Sequence, residues 1–136
     1  MTANQVFSIV NPIALVSWLL LIVLPGRRWV IDAAGLAVPV LFAIVYTAIV
    51  AANFFGSPGG FSSLPGVALL FGNPWLLLAG WTHYLAFDLL VGTWEARDAQ
   101  ERGVSHLLLV PCLVLTFLFG PAGWLLYRGV SARTRS

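Results

Sequence analysis

The chain has 136 residues, of which 60% are hydrophobic and 9% are charged. A soluble domain of this length needs far more charge on its surface, so the composition excludes one and indicates a chain solvated mainly by lipid. The net charge is +2, and the arginines that carry it adjoin apolar segments. No basic stripe faces an aqueous groove, so no nucleic acid is expected as a partner.

Two apolar runs in the first half of the chain predict transmembrane helices. The first, residues 6–24, lacks the basic region and the cleavage site of a signal peptide, so we expect it to be retained as a helix. Arg27, Arg28 and Trp29 follow it and mark the level of the lipid headgroups. The second run, residues 35–55, is long enough to span a bilayer at about 1.5 Å per residue.

The second half of the chain predicts two more helices. A stretch rich in Gly, Ser and Pro, residues 56–66, predicts a surface loop. After it, Asn73-Pro74 is a good start signal for a third helix over residues 73–94. A fourth helix is predicted over residues 104–127, distorted by the FGPAG stretch at residues 119–123.

The predicted fold is therefore an all-α integral membrane bundle of four transmembrane helices in residues 1–128, followed by a basic, flexible tail at residues 129–136. Four short spans enclose little volume, so the chain is compatible with a homo-oligomer. The positive-inside rule only narrowly favours a cytoplasmic location for the loops after helices one and three. Those loops hold Arg27, Arg28, Arg97 and Arg102, whereas the opposite side holds Arg128, Arg133 and Arg135.

Two correspondences suggest an internal repeat of two helices. The repeat would relate the halves by an axis along the membrane normal, although chance similarity between apolar sequences explains the matches equally well. The matches are Asn11-Pro12 and Trp18 with Asn73-Pro74 and Trp81, and residues 38–41 with residues 110–113.

The third helix carries ionisable side chains where a membrane span rarely has them. His83 and Asp88 lie within its apolar segment, and Glu95 lies near its end. Ionisable groups at such depth are costly, and they usually face the interior of a bundle at a site of binding or reaction. With four spans, all five acids point toward one membrane face: Asp32, Asp88, Glu95, Asp98 and Glu101.

Asp88 and Glu95 are the candidate acids. At about 100° per residue they return to nearly the same helix face, about 10 Å apart along the axis. A carboxyl group with little water around it can keep its proton at neutral pH and act as a general acid, and a nearby imidazole can act as the base. His83 lies about 140° around the helix from Asp88. The two groups either border one cavity between neighbouring helices, or His83 turns toward a different helix.

Six other residues are candidates for binding a substrate. The three aromatic ones can line a groove for a long, flat, apolar ligand, although helix packing explains the deeper rings equally well. The three polar ones belong to a vestibule at one end of the bundle, for which an ordinary interfacial loop of paired charges is the alternative. The six residues are Trp81, Tyr84, Phe87, Arg97, Asp98 and His106.

Metal binding is a competing use for His83, Asp88, Glu95 and His106. Their spacing fits no standard zinc pattern, and two histidines are too few for a histidine-rich di-iron site. The lone Cys112 can form neither an intramolecular disulfide nor a cysteine metal cluster. We therefore expect neither a metal nor a cofactor.

Three stretches in the second half carry a family resemblance. They are GWTHYLAFD at residues 80–88, WEARD at residues 94–98, and PCL at residues 111–113 followed by FGPAG. With these motifs the chain resembles the abscisic-acid-deficient-type membrane proteins, the family that includes plant neoxanthin synthase. The resemblance covers residues 71–128 strongly and the four-span layout loosely.

The resemblance implies conversion of an epoxy carotenoid, violaxanthin, to the allenic neoxanthin within a membrane. This isomerisation has no net redox change, so it needs acids and bases rather than a redox metal. Opening the epoxide requires protonation of its oxygen, and forming the allene requires loss of a proton from the polyene chain. From this chemistry we assign Asp88 or Glu95 as the acid and His83 as the base.

The chain differs from the plant members in having no transit peptide, which suggests a protein of the bacterial inner membrane. Its expected ligand is then a related carotenoid or another isoprenoid lipid. Two further classes of function stay open: a non-catalytic accessory protein that binds a carotenoid or cofactor, and a small proton or ion carrier that uses Asp88 and His83.

Overall fold

The fold is built from helices. The computed structural model describes residues 1–134, and the predicted all-helical class is confirmed because no strand occurs in that range. Three of the helices, Ala3–Val23, Arg28–Asn53 and Pro74–Arg102, are long and apolar enough to cross a membrane. The helices are α1 (Ala3–Val23), α2 (Arg28–Asn53), α3 (Leu64–Leu70), α4 (Pro74–Arg102), α5 (His106–Phe119) and α6 (Pro121–Arg133).

Local sequence sets the ends of the long helices. Thr2 and Gln5 form a capping box at the start of α1. The Asn73 side chain accepts a hydrogen bond in the first turn of α4, and Pro74 takes the first helical position, where a missing N–H costs nothing. Gly103 ends α4 with a φ of 72°, a left-handed conformation that glycine adopts without strain.

Helix α4 lies at the centre of the molecule, and α1 packs beside it in parallel. Asn11 in the first half of α1 bonds to Trp81 in the first half of α4. Pro25, just beyond α1, accepts a hydrogen bond from Gln100 near the end of α4. Between these two contacts the side chain of Trp18 is 1% exposed and belongs to the main apolar core.

Helix α2 packs against α4 in the antiparallel direction. Near its start Gly35 contacts Thr93, and further along Tyr46 contacts His83. Gly35 belongs to a short π-helical segment, Ala33–Ala37. A Cβ atom at this glycine would lie 2.5 Å from the Thr93 methyl carbon, so the absence of a side chain permits the close approach of the two helices.

The chain after α4 forms a hairpin of two short helices, residues 106–133, which we call the α5–α6 hairpin. Its first arm starts at the C-terminal end of α4, where the Val104 amide donates to the Ala99 carbonyl. At about 1.5 Å per residue, the 14 residues of α5 extend about 21 Å. The end of this arm lies beside the middle of α4, where the Tyr84 hydroxyl donates to the Leu118 carbonyl at 3.0 Å.

The second arm of the hairpin returns toward the end from which the first arm came. Gly123 lies directly against the backbone of Thr116 on α5, and Tyr127 on α6 bonds to Asp98 near the end of α4. The structure therefore has two helices where the sequence predicts one distorted helix over residues 104–127. The chain reverses at Gly120, in the FGPAG stretch.

This reversal places the arginines of the described residues at one end of the molecule, which we call the arginine end. Four full spans would put Arg128 and Arg133 at the opposite end, but the returning α6 carries them back toward the end of α4. Among the described residues the other end has no acidic or basic side chain. The arginine end holds Arg27, Arg28, Arg97, Arg102, Arg128 and Arg133.

Other details of the predicted layout also differ. Asn73-Pro74 opens α4 as expected, whereas Asn11-Pro12 lies inside α1, so the two motifs have different structural roles and give the predicted repeat no support. Helix α6 continues to Arg133, into the segment predicted as a tail. Residues 135 and 136 of that tail lie outside the described residues.

Candidate functional site

Asp88 occupies the middle of α4, with fourteen residues of the helix on either side of it. It is therefore about 21 Å from each end of the helix. Its side chain is 8% exposed, and its Oδ2 atom has no hydrogen-bond partner among the described residues. A buried carboxyl oxygen without a partner is costly, so it marks a position where a ligand or proton is expected to interact.

The turn of the α5–α6 hairpin lies directly beside this carboxyl group. A Cβ atom at Gly120 would lie 2.6 Å from Oδ1 of Asp88, so only glycine allows the carboxyl group to lie so close to the backbone here. The ends of α5 and α6 meet at this point, and helix ends carry backbone groups without intrahelical partners. In the middle of the molecule, the unpaired carboxyl group of Asp88 thus lies beside the turn between α5 and α6.

Tyr84 links the acid to the surface of the molecule. It precedes Asp88 by four residues, so both project from the same face of α4. Its hydroxyl donates to Leu118, one of the last carbonyls of α5, and its ring stacks on Trp81 with centroids 5.5 Å apart. The Trp81 ring nitrogen in turn donates to Asn11 at 2.8 Å.

These side chains border an open groove between α1, α4 and α5, which we call the Tyr84 groove. Its volume is about 410 Å³, and apart from Asn11 and Tyr84 its walls are largely apolar. Asp88 does not line the groove but lies one helical turn behind Tyr84. The groove is bordered by Asn11, Pro12, Leu15, Trp81, Tyr84 and Leu118.

Glu95 is completely buried between α4 and α5, at 0% exposure. Its two carboxyl oxygens lie 2.9 and 3.0 Å from the Thr116 hydroxyl, which also lies 2.8 Å from the Cys112 carbonyl. One hydroxyl has a single proton to donate, so the arrangement is complete when a protonated Glu95 donates to Thr116 and Thr116 donates to Cys112. Glu95 therefore fastens α4 to α5 and faces no groove.

His83 lies on another side of α4 from Asp88. Its ring contacts the rings of Tyr46 and Phe87, with centroids 5.6 and 4.8 Å apart. It lines a cavity between α2, α4 and the 54–73 segment, and Asp88 is not part of that cavity. Of the two arrangements that the sequence left open, the structure has the one in which His83 turns toward a different helix.

The remaining predicted site residues lie at the arginine end. Arg97 and Asp98 line a cleft of about 360 Å³ there, and His106 bonds through Nε2 to the Ile22 carbonyl at 2.9 Å. Asp98 is ten residues beyond Asp88, about 15 Å along the helix. These residues are therefore not brought together with Asp88.

Asp98 joins the α5–α6 hairpin to α4. Its Oδ2 atom accepts hydrogen bonds from the Tyr127 hydroxyl and from the Arg102 Nε, both at 2.7 Å. The Tyr127 side chain is fully buried and packs edge-on against Trp94. The bond from Tyr127 is thus a charge-assisted one in a place that water reaches poorly.

Replacing Tyr127 by phenylalanine is expected to lower the free energy of unfolding by about 1.5–3 kcal/mol, because a hydrogen bond to a charged group is lost. Chemical denaturation of the detergent-solubilised protein measures this change. The matched double-mutant cycle with Asp98→Asn separates the bond from the packing of the ring. Equal losses from Tyr127→Phe in the wild-type and Asp98→Asn backgrounds would contradict the assigned bond.

Sequence reasoning missed three residues that shape the site. Thr116 is a hydroxyl within an apolar helix, a type of residue that often bonds across helices, so its position carried a signal. Gly120 belonged to a stretch predicted to distort a helix, although not to reverse it. No sequence pattern indicated a role for Tyr127, because a tyrosine at this position is also typical of the end of a transmembrane span.

Comparison with known proteins decides the family. A family model described as ABA DEFICIENT 4-like matches residues 5–127, which is most of the chain and includes every residue of the site described above. The chain belongs to the ABA DEFICIENT 4-like family. The resemblance drawn from its motifs is thereby confirmed, and membership of this family together with the three long apolar helices fits a membrane protein. No curated protein and no solved structure matches the chain.

Proposed function

We propose that this ABA DEFICIENT 4-like protein isomerises a carotenoid-like or other isoprenoid lipid within the bilayer by acid/base chemistry. The observation that carries the proposal is the unpaired, buried carboxyl group of Asp88 behind an open groove with largely apolar walls. Asp88 lies within the apolar part of α4, and with this helix crossing the membrane an ionisable group there is costly, so such groups usually mark a functional site.

The chemistry needs one proton donated and one removed. A protonated Asp88 gives its proton to the oxygen of an epoxide, through or beside the Tyr84 hydroxyl, and the C–O bond breaks to leave a hydroxyl group. The electron-deficient carbon then gains a second bond when the adjacent chain carbon loses its proton to the Asp88 carboxylate. Protons and electrons balance, and Asp88 returns to its starting state.

This assignment narrows the roles predicted from the sequence. His83 stands in a separate cavity, and Glu95 is enclosed by Thr116, so neither has a path to a lipid in the Tyr84 groove. Trp81 and Tyr84 keep their predicted role as the binding surface. Phe87, Arg97, Asp98 and His106 have no contact with the groove.

The proposal includes a location and a membrane arrangement. Helices α1, α2 and α4 cross the bilayer, and the α5–α6 hairpin fills the place of the fourth predicted span by entering and leaving at the arginine end. In a bacterial inner membrane the arginine end would be cytoplasmic, since six arginines there satisfy the positive-inside rule. A second copy of the chain is a proposed partner, because so small a bundle encloses little volume.

The direct test is to supply an epoxy carotenoid to the purified protein in nanodiscs and to analyse the extracted lipids by chromatography and mass spectrometry. We expect a product of unchanged mass with a new retention time. Binding of the lipid without conversion would instead support the non-catalytic accessory function. If proton flux into liposomes occurs and no lipid is bound, the proposal is wrong and the carrier function gains support.

A further inference from the structure

The cavity around His83 has the features of a second binding site, on a different side of α4 from the Tyr84 groove. Its volume is about 490 Å³, which falls within the range of small-molecule sites. Aromatic rings make up much of its wall and rim, which include Tyr46, Phe54, Phe55, Phe61, Phe71 and His83.

The walls of this cavity suit a flat ring. Phe54 and Phe61 already stack on one another with centroids 5.3 Å apart and planes 22° apart. The Phe55 side chain is 90% exposed at the rim, so an aromatic surface is available that no protein group covers. Aromatic side chains attract other rings in stacked or edge-on arrangements, and each such pair contributes beyond the burial of its area.

His83 supplies a polar group in the otherwise apolar wall. Its exposed ring is tilted by 45° and 46° against the rings of Tyr46 and Phe87. Among residues 1–134, the hydrogen bonds of histidine side chains involve His106 and not His83. The other histidine, His106, bonds to the Ile22 carbonyl. A neutral imidazole offers one donor and one acceptor, so a carbonyl or hydroxyl oxygen on a ligand would meet a free partner here.

We infer that the His83 cavity binds the ring of a second, ring-headed lipid whose ring carries a carbonyl or hydroxyl oxygen. The apolar walls hold the ring, the imidazole bonds to its oxygen, and the apolar remainder of the molecule lies outside the cavity. The size of the cavity accommodates a head group and not a whole long-chain lipid. This site is independent of the chemistry at Asp88, because no residue lines both cavities.

The two histidines of the chain make a direct test possible. The protein is labelled with ¹⁵N-histidine in nanodiscs and titrated with a short-chain quinone that has a single isoprene unit, while the imidazole resonances are followed by NMR. We expect a saturable shift of the His83 signals and none of the His106 signals. His83→Phe, which keeps an aromatic ring and removes both nitrogens, should weaken quinone binding at least tenfold in a calorimetric titration.

Farnesol, an isoprenoid alcohol without a ring, is the matched control ligand and should leave the His83 resonances unchanged. Equal shifts with farnesol and quinone, or no shift of His83 with quinone, would overturn the inference. Asp88→Asn should bind the quinone as the wild type does. Absence of carotenoid turnover would leave these results untouched, so failure of this site and failure of the proposed reaction are distinguishable.

Discussion

Replacing Asp88 by asparagine is expected to lower the turnover of a supplied epoxy carotenoid by about 100- to 10,000-fold, the usual contribution of a general acid. Asparagine has nearly the same shape and cannot donate a proton of comparable acidity. Because it is uncharged, its burial beside Gly120 should leave the fold unchanged. Chromatography should therefore show that turnover is lost, whereas a denaturant titration should show an unchanged free energy of unfolding.

Two matched variants sharpen this prediction. Glu95→Gln keeps a group that can donate to Thr116, and His83→Ala alters only the separate cavity, so both should retain activity close to that of the wild type. Tyr84→Phe should have an intermediate effect, since it removes the hydroxyl between the groove and the acid. If Glu95→Gln loses activity while Asp88→Asn retains it, the assignment of Asp88 as the acid is wrong.

Replacing Gly123 by alanine should lower the free energy of unfolding by about 1–3 kcal/mol or more, the range for overpacking a close contact. An added Cβ would lie 2.1 Å from the Thr116 amide nitrogen and 2.4 Å from its Cα. These are backbone atoms, so no side-chain rotation can relieve the clash. The arms of the α5–α6 hairpin must separate, and a denaturant titration in detergent measures the loss.

Gly129 on the same helix provides the control for this prediction. Nothing lies within 4 Å of a Cβ added there, so Gly129→Ala should leave stability unchanged or raise it through the higher helix propensity of alanine. An equal effect of the two substitutions would mean that Gly123 does not pack against α5.

The sequence predicts the long helices well, because apolar runs bounded by Pro, Gly and Arg carry their own signal. It does not predict the α5–α6 hairpin. The 24 residues from 104 to 127 are predominantly apolar and together as long as one span, and their hydropathy is the same whether the chain continues or turns back. The turn depends on two tertiary contacts, Gly120 against Asp88 and Gly123 against Thr116, which no local pattern encodes.

The candidate site was predicted only in part, because it also depends on contacts between helices. Helical periodicity placed His83 about 140° around α4 from Asp88, and in the structure His83 lines a cavity that Asp88 does not line. Periodicity also placed Glu95 in line with Asp88 but could not foresee that Thr116 would enclose it. Whether a polar group faces a cavity or a partner depends on the neighbouring helix, which the sequence of α4 alone does not determine.

The central claim is that the hairpin turns back within the membrane and brings its turn to Asp88. Single cysteines at Ser62 and at Ala132, both exposed, in a Cys112→Ser background can be labelled in intact cells with a maleimide that does not cross membranes. Three crossings and a hairpin predict that Ser62→Cys and Ala132→Cys lie on opposite sides, so that only one of them is labelled before the cells are permeabilised. Labelling of both from the same side would mean that the chain crosses a fourth time, and the hairpin would be contradicted.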